Sequence, residues 1–217
     1  VETFIVTGAH GYIGSHICVE LMEIGFNVIG IDSDIRSNPS AVEKLHAYDN
    51  YRSLSIDLSQ SFSLPLELVG LEVSVIHCAG FKDVVESLKK PSLYFENNLT
   101  ATINLIDALK GFRLKDFVFS STAAVYDPAA TLPLWENSRI APRHPYGKSK
   151  LCAELVIESV VPCVFPQARI WILRYFNPVG CSEWWAPDLN ADECRSLQDQ
   201  LAWCVTTGAT LQIFRST

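Results

Sequence analysis

No run of about 18 or more uninterrupted apolar residues occurs in this 217-residue sequence, so no membrane-spanning helix is expected. Basic residues are not in surplus either: 17 Lys and Arg stand against 24 Asp and Glu, a formal charge of −7. That balance argues against general affinity for nucleic acid or anionic membranes, while leaving room for a local basic pocket around a phosphate-bearing ligand. Seven cysteines are present, at Cys18, Cys78, Cys152, Cys163, Cys181, Cys194 and Cys204, without a single Cys-x-x-Cys pair. Their odd number and scatter argue against a disulfide scaffold or a metal site, and fit reduced thiols in a cytoplasmic protein. The first residues lack a basic stretch followed by an apolar one, and Val1 leads directly into a strand-like run. Internal repeats and low-complexity segments are also missing.

What is present alternates. Thr3–Thr7 and Asn27–Ile31 read as short buried strands on either side of an amphipathic segment, Tyr12 to Ile24, that Gly25 can close. Leu54–Ile56 and Val73–Cys78 are further strands, with a weak helix between them. Val84–Lys110 reads as mainly helical, with Pro91 starting a new helix or kinking this one. Phe117–Ser121 is a strand, Tyr146–Val160 a helix and Ile170–Tyr175 a strand. Such alternation predicts an α/β fold, a Rossmann-like doubly wound parallel sheet with helices on both faces. Beyond Pro178 the pattern weakens to a loop, a helix over Ala191–Thr207 and a short strand over Leu211–Phe214. Residues 1–176 are therefore expected to form one domain, and 177–217 the beginning of a smaller one.

The segment Thr7-Gly8-Ala9-His10-Gly11-Tyr12-Ile13-Gly14 spaces three glycines three residues apart, after a strand and at the start of a helix. Missing Cβ atoms let the chain turn sharply, let a pyrophosphate approach and let helix and strand meet closely. The helix start then offers N–H groups and positive dipole to an anion. A tight strand-to-helix turn without a ligand is the plainer alternative. Asp32 ends the second strand, where an acid accepts hydrogen bonds from ribose hydroxyls and repels a 2′-phosphate, favouring NAD over NADP. Arg36, nearby in sequence, softens that preference. Asp57 and Leu58 follow the third strand, where they meet an adenine edge or, in the Asp57 case, simply face solvent. Cys78-Ala79-Gly80 would pass beside a cofactor, with Lys82 just beyond.

Tyr146 and Lys150 stand four residues apart at a helix start, on one face and one turn from each other. A free phenol, with a pKa of about 10, is a poor base at neutral pH, and bringing it near 7 takes roughly 4 kcal/mol. One cation about 4 Å away supplies on the order of 4 kcal/mol at an effective dielectric near 20. Ser120-Ser121-Thr122 ends another strand at the edge where open α/β sheets bind ligands, so a hydroxyl there can hold a substrate alcohol while Tyr146 removes its proton. Packing by Tyr146, solvation of Lys150 and strand capping by Thr122 are the alternatives for each residue alone.

Together, these motifs resemble the extended short-chain dehydrogenase/reductase superfamily and, within it, the UDP-glucose (UDP-galactose) 4-epimerase family. Thr7–His16 (TGAHGYIGSH), Val75–Lys82 with Glu86-Ser87 and Pro91, Pro145–Lys150 (PYGKSK) and Leu173–Gly180 (LRYFNPVG) carry the narrower likeness, with Asn97-Asn98 at the place of paired asparagines. The resemblance implies tightly held NAD contacted by Gly8, Gly11, Tyr12, Ile13, Gly14, Asp32, Asp57, Leu58, Ala79, Gly80 and Lys82. It further implies that Asn97 and Lys150 serve the nicotinamide ribose, that Tyr146 and Phe176 lie near the nicotinamide, and that Lys82, Thr122, Tyr146 and Asn177 contact a UDP-hexose. The implied reaction is epimerisation at C4 through a 4-keto sugar, with Thr122, Tyr146 and Lys150 as the catalytic set. A homodimer through parts of Val84–Lys110 and Tyr146–Val160 is a further implication.

Related nucleotide-sugar dehydratases carry an Asp-Glu pair after the strand-end hydroxyl; Ala123-Ala124 stands here and transfers no proton. Dehydration is therefore disfavoured, leaving epimerisation or simple oxidoreduction. Three departures from the epimerase pattern stand out. Asp34-Ile35-Arg36-Ser37 replaces an Asn-rich segment, and Cys181–Leu197 carries Trp184-Trp185 and Asn190 where paired asparagines hold UDP. Roughly the last third of a usual epimerase has no counterpart. An NAD-binding protein without epimerase turnover is the alternative these departures support, as is another NAD-dependent nucleotide-sugar oxidoreductase.

Overall fold

The computed structural model describes residues 1–180 and 182–185. Six strands form one sheet: β1 (Thr3–Thr7), β2 (Asn27–Asp32), β3 (Tyr51–Ser55), β4 (Glu72–His77), β5 (Arg113–Thr122) and β6 (Arg169–Tyr175). All pairings are parallel, in the order β3-β2-β1-β4-β5-β6. Successive residues such as Ile5 and Val6 in β1, or Val28 and Ile29 in β2, are both buried because helices cover both faces. The chain runs outward from β1 to β3 and then returns to β4. That reversal leaves a crevice beyond the carboxyl ends of β1 and β4, the place where open parallel sheets take ligands.

The helices are α1 (Tyr12–Glu23), α2 (Pro39–His46), α3 (Val84–Lys89), α4 (Pro91–Phe95), α5 (Ala101–Ala108) and α6 (Pro145–Val164). The doubly wound fold expected from the alternating pattern is the one observed, with differences at the edges of elements. α2 was not foreseen; Asn38 caps it through hydrogen bonds from the Ser40 and Ala41 N–H groups, Pro39 opens it, and Ala41 and Leu45 are buried. The weak helix expected between β3 and β4 is a single 3₁₀ turn, Leu66–Leu68. Pro91 does start a new helix, and a π turn over Glu96–Thr100 joins α4 to α5. Ile5, Ile31, Val75, Phe117 and Phe119 from the sheet meet Leu105, Ile106, Ile157 and Val161 in the core.

Residues Val1–Pro178 form one unit, and a second begins at Val179. In the second, the Trp184 and Trp185 rings meet edge to face at 5.9 Å, and the Trp185 N–H donates to the Ser182 carbonyl. The helix and strand expected over Ala191–Thr207 and Leu211–Phe214 lie outside the described residues. No described helix is long and apolar enough to cross a membrane.

Candidate functional site

The glycine segment makes the turn from β1 into α1. Gly8 has φ +67°, and a Cβ on it would fall 2.7 Å from the Ala79 nitrogen in the segment after β4; a Cβ on Gly14 would overlap the Gly8 carbonyl. Only bare glycines permit this close approach. α1 opens at Gly11 without a side-chain cap, the arrangement by which a helix N-terminus receives a phosphate. Beside it lies a hollow of about 140 Å³, lined in part by Gly8, Gly11, Asp32, Asp57, Leu58, Ala79, Gly80 and Asn97. Eight expected cofactor contacts thus share one hollow. Its glycine wall and uncapped helix start fit a pyrophosphate, and its acidic far end fits ribose hydroxyls, so the donor and acceptor set suits a dinucleotide.

Asp32 is held rigidly at that end. Its Oδ2 accepts from the His10 N–H and its Oδ1 from the Asp34 N–H, both at 3.0 Å. Asp34 takes a left-handed conformation, φ 60°, and meets His10 Nδ1 at 2.6 Å, while His10 Nε2 meets the Tyr51 hydroxyl at 3.0 Å. Among the described residues, His10, Asp32 and Asp34 alone bring three potential metal-ligand atoms within 4.8 Å of one another, but both His10 nitrogens are already engaged. Asp57 turns its Oδ1 onto the Ser59 N–H and hydroxyl. Arg36 does not turn toward Asp32. Its guanidinium donates twice to Glu86, 3.0 Å for each bond, and lies 3.7 Å over the Phe81 ring.

Across the crevice, Thr122 ends β5 and Tyr146 opens α6. His144 caps α6 by accepting from the Gly147 N–H at 3.2 Å, and its ring runs parallel to that of Tyr146. Gly147 lets the helix rest on the turn after Thr122, since a Cβ there would meet the Ala124 carbonyl oxygen at 2.6 Å. Burial pushes the Tyr146 phenol above its ordinary value, and the nearby Thr122 hydroxyl, which accepts from the Ala124 N–H at 3.1 Å, draws it part of the way back. Lys150 is buried, donates to the Ser120 carbonyl at 2.9 Å and sits over the Phe119 ring. Burial brings its ammonium down to about 8, so the charge persists at neutral pH. The downward pull of Lys150 on the phenol, predicted by their spacing, does not offset the effect of burial: Lys150 is held by Ser120 instead.

Several residues that position the site, Asn98 of the Asn97-Asn98 pair among them, were given no role by the sequence reading. The buried Asn98 Oδ1 accepts from the Phe81 N–H at 2.7 Å, and its Nδ2 donates to the Phe81 carbonyl and to Ser149 Oγ. A Cβ on Gly80 would collide with Asn98 and come within 3.3 Å of Lys150 Nζ, so Gly80, Asn98 and Lys150 meet at one point. The π turn that presents Asn97 and Asn98 is itself a feature common at functional sites. Beneath it, the Ala79 N–H donates to Thr7 Oγ1, Thr7 bonds His77 Nδ1 at 2.6 Å, and His77 Nε2 bonds Thr102, which donates to the Asn98 carbonyl. This relay is satisfied only by neutral His77 protonated on Nε2. Burial holds His77 down to about 3.

Other expected contacts are not gathered here. Tyr12, Ile13 and Gly14 belong to the first turn of α1 rather than to the lining, and Lys82 is exposed. Phe176 and Asn177 follow β6 and are also exposed. Ala123, Ala124 and His144, next to the Thr122–Tyr146 pair, line a second hollow of about 250 Å³ together with Tyr126, Asp127 and Arg143.

Comparison with known proteins agrees with this arrangement. Residues 4–192 match the family model for the NAD dependent epimerase/dehydratase family. UDP-glucose 4-epimerase 2 of Oryza sativa subsp. japonica is 38% identical over 186 residues, covering 83% of this chain and 45% of the relative. UDP-glucose 4-epimerase uge1 of Schizosaccharomyces pombe is 39% identical, covering 82% and 52%. The chain spans about half the length of these curated relatives. Among solved structures, UDP-N-acetylglucosamine 4-epimerase from Methanobrevibacter ruminantium M1 superposes with a TM-score of 0.82 at 27% identity, covering 99% of this chain and 66% of that one. The Bifidobacterium longum UDP-glucose 4-epimerase in complex with NAD+ and UDP gives 0.70 at 34%, covering 83% and 55%. In sequence and in fold, the chain belongs to the NAD dependent epimerase/dehydratase family.

Proposed function

We propose that the chain carries the cofactor and proton-transfer half of a UDP-hexose 4-epimerase, interconverting UDP-glucose and UDP-galactose. The observation that carries this reading is buried Lys150 held beside Gly80 of the glycine-lined hollow, one turn along α6 from Tyr146, with Thr122 at the end of β5. Gly8, Gly11, Asp32, Asp57, Leu58, Ala79, Gly80 and Asn97 would hold NAD, which supplies an acceptor for the C4 hydride and its return. Thr122 orients the C4 hydroxyl, and Tyr146 takes its proton and later gives it back. Because burial raises the phenol, the phenolate has to be favoured by the Lys150 charge, whose attraction grows as water is excluded. Ala123 and Ala124 add no acid or base, so the 4-keto sugar is reduced rather than dehydrated. The same reading includes a homodimer through the helices around α3, α5 and α6.

A second reading, NAD binding without epimerisation, is favoured by exposed Phe176 and Asn177 and by Trp184-Trp185 in place of paired asparagines. Both readings are tested on the purified chain by assaying bound NAD and conversion of UDP-galactose to UDP-glucose. Conversion is expected, and Tyr146→Phe lowers it by about 10²–10⁴-fold while NAD stays bound. Bound NAD without conversion supports the second reading. Accumulated NADH with an oxidised sugar supports a dehydrogenase.

A further inference from the structure

Arg36 belongs to the segment after β2, and Phe81 and Glu86 to the segment after β4 and the start of α3. In the sheet, β2 and β4 flank β1. A contact between their following segments therefore crosses over the carboxyl end of β1, where the glycine turn lies. The contact is well formed: two guanidinium N–H groups donate to the two oxygens of Glu86 while the guanidinium face rests on the Phe81 ring. Glu86 is anchored in turn by the Tyr94 hydroxyl at 3.0 Å and by Lys90 at 3.5 Å, and the Arg36 pair holds its carboxyl down to about 2. Arg36 and Phe81 both line the hollow that Gly8 and Gly11 floor. A bidentate, ring-stacked guanidinium gives a more directional link than an ordinary surface ion pair.

We infer that Arg36, Phe81 and Glu86 form a strap across the cofactor cleft that retains a bound dinucleotide and has to open for its release. The inference rests on the NAD reading above. It also gives Arg36 a job other than binding a 2′-phosphate: its charge is committed to Glu86, away from Asp32, and the cleft keeps its acidic ribose end.

The test is the rate at which labelled NAD leaves the purified chain when chased with excess unlabelled NAD. Arg36→Met and Glu86→Gln should each speed release about tenfold, and the double variant no more than either alone, because one link is lost in all three. Gln at position 86 keeps an acceptor for Tyr94, so the fold is preserved, and unchanged melting temperatures of the NAD-free variants check this. Higher salt should speed release from the unaltered chain and not from the variants. Release at the unaltered rate in both variants overturns the strap. Faster release in Arg36→Met alone also overturns it, assigning Arg36 a direct phosphate contact. An unaltered chain that takes up no NAD overturns the cofactor reading and the strap together, whereas one that holds NAD leaves that reading standing whatever the variants do.

Discussion

At the scale of single residues, His77 shows how one buried group becomes a dependence on pH. Its neutral ring is the middle of the Thr7–His77–Thr102 relay, and burial lowers its pKa from 6.5 to about 3. Between those values the unfolded chain binds a proton that the folded chain refuses, so stability is full above about pH 6.5 and falls as pH drops toward 3. Urea unfolding should show this decline already between pH 6.5 and 5, before most carboxylates titrate. His77→Gln should flatten that part of the profile, whatever its effect on stability at pH 7. His77 was not singled out in the sequence because its partners are 70 and 25 residues away. The glycines, Asp32, Thr122 and Tyr146 were, because their meaning lies in local spacing at strand ends and helix starts.

At the scale of elements, the beginning of α6 sets the reacting geometry. Pro145 opens the helix, His144 caps it, and Gly147 lets it touch the turn after Thr122. Gly147→Ala puts a Cβ 2.6 Å from the Ala124 carbonyl oxygen and moves Tyr146 away from Thr122. A displacement of about 1 Å costs on the order of a hundredfold in rate, so epimerisation should fall by about that factor while retained NAD is unchanged. Steady-state rates and NAD content of the purified variant check this. PYGKSK made this helix legible in the sequence. α2 carried an equally local signal, Asn38-Pro39, yet its short length and the polar residues around it hid the buried pair Ala41 and Leu45.

At the scale of the whole molecule, Glu154 ties distant elements together. From α6 it receives three bonds from Arg174 of β6 and one from Ser121 of β5, while Arg174 also reaches the Tyr126 hydroxyl and the Glu136 carbonyl. Arg174→Met strands a buried carboxylate, and urea unfolding at pH 7 should register a loss of about 3–5 kcal/mol. Val85 and Leu88 on α3, Ile103 on α5 and Leu155 on α6 are exposed. For the proposed homodimer, Leu88→Glu with Leu155→Glu should convert a dimeric mass in light scattering to a monomeric one. A monomeric mass for the unaltered chain would sink that part of the proposal.

The sequence by itself determined the alternation of strands and helices, the glycine turn, the acid at the end of β2 and the Tyr146–Lys150 helix start, because each is written in residues close along the chain. Tertiary structure alone decided where Lys150 points, which asparagine of the pair holds the β4 segment, and that Arg36 turns from Asp32 to Glu86, 50 residues away. Those outcomes depend on which strand ends lie side by side, and the order β3-β2-β1-β4-β5-β6 brings them together only when the sheet has formed.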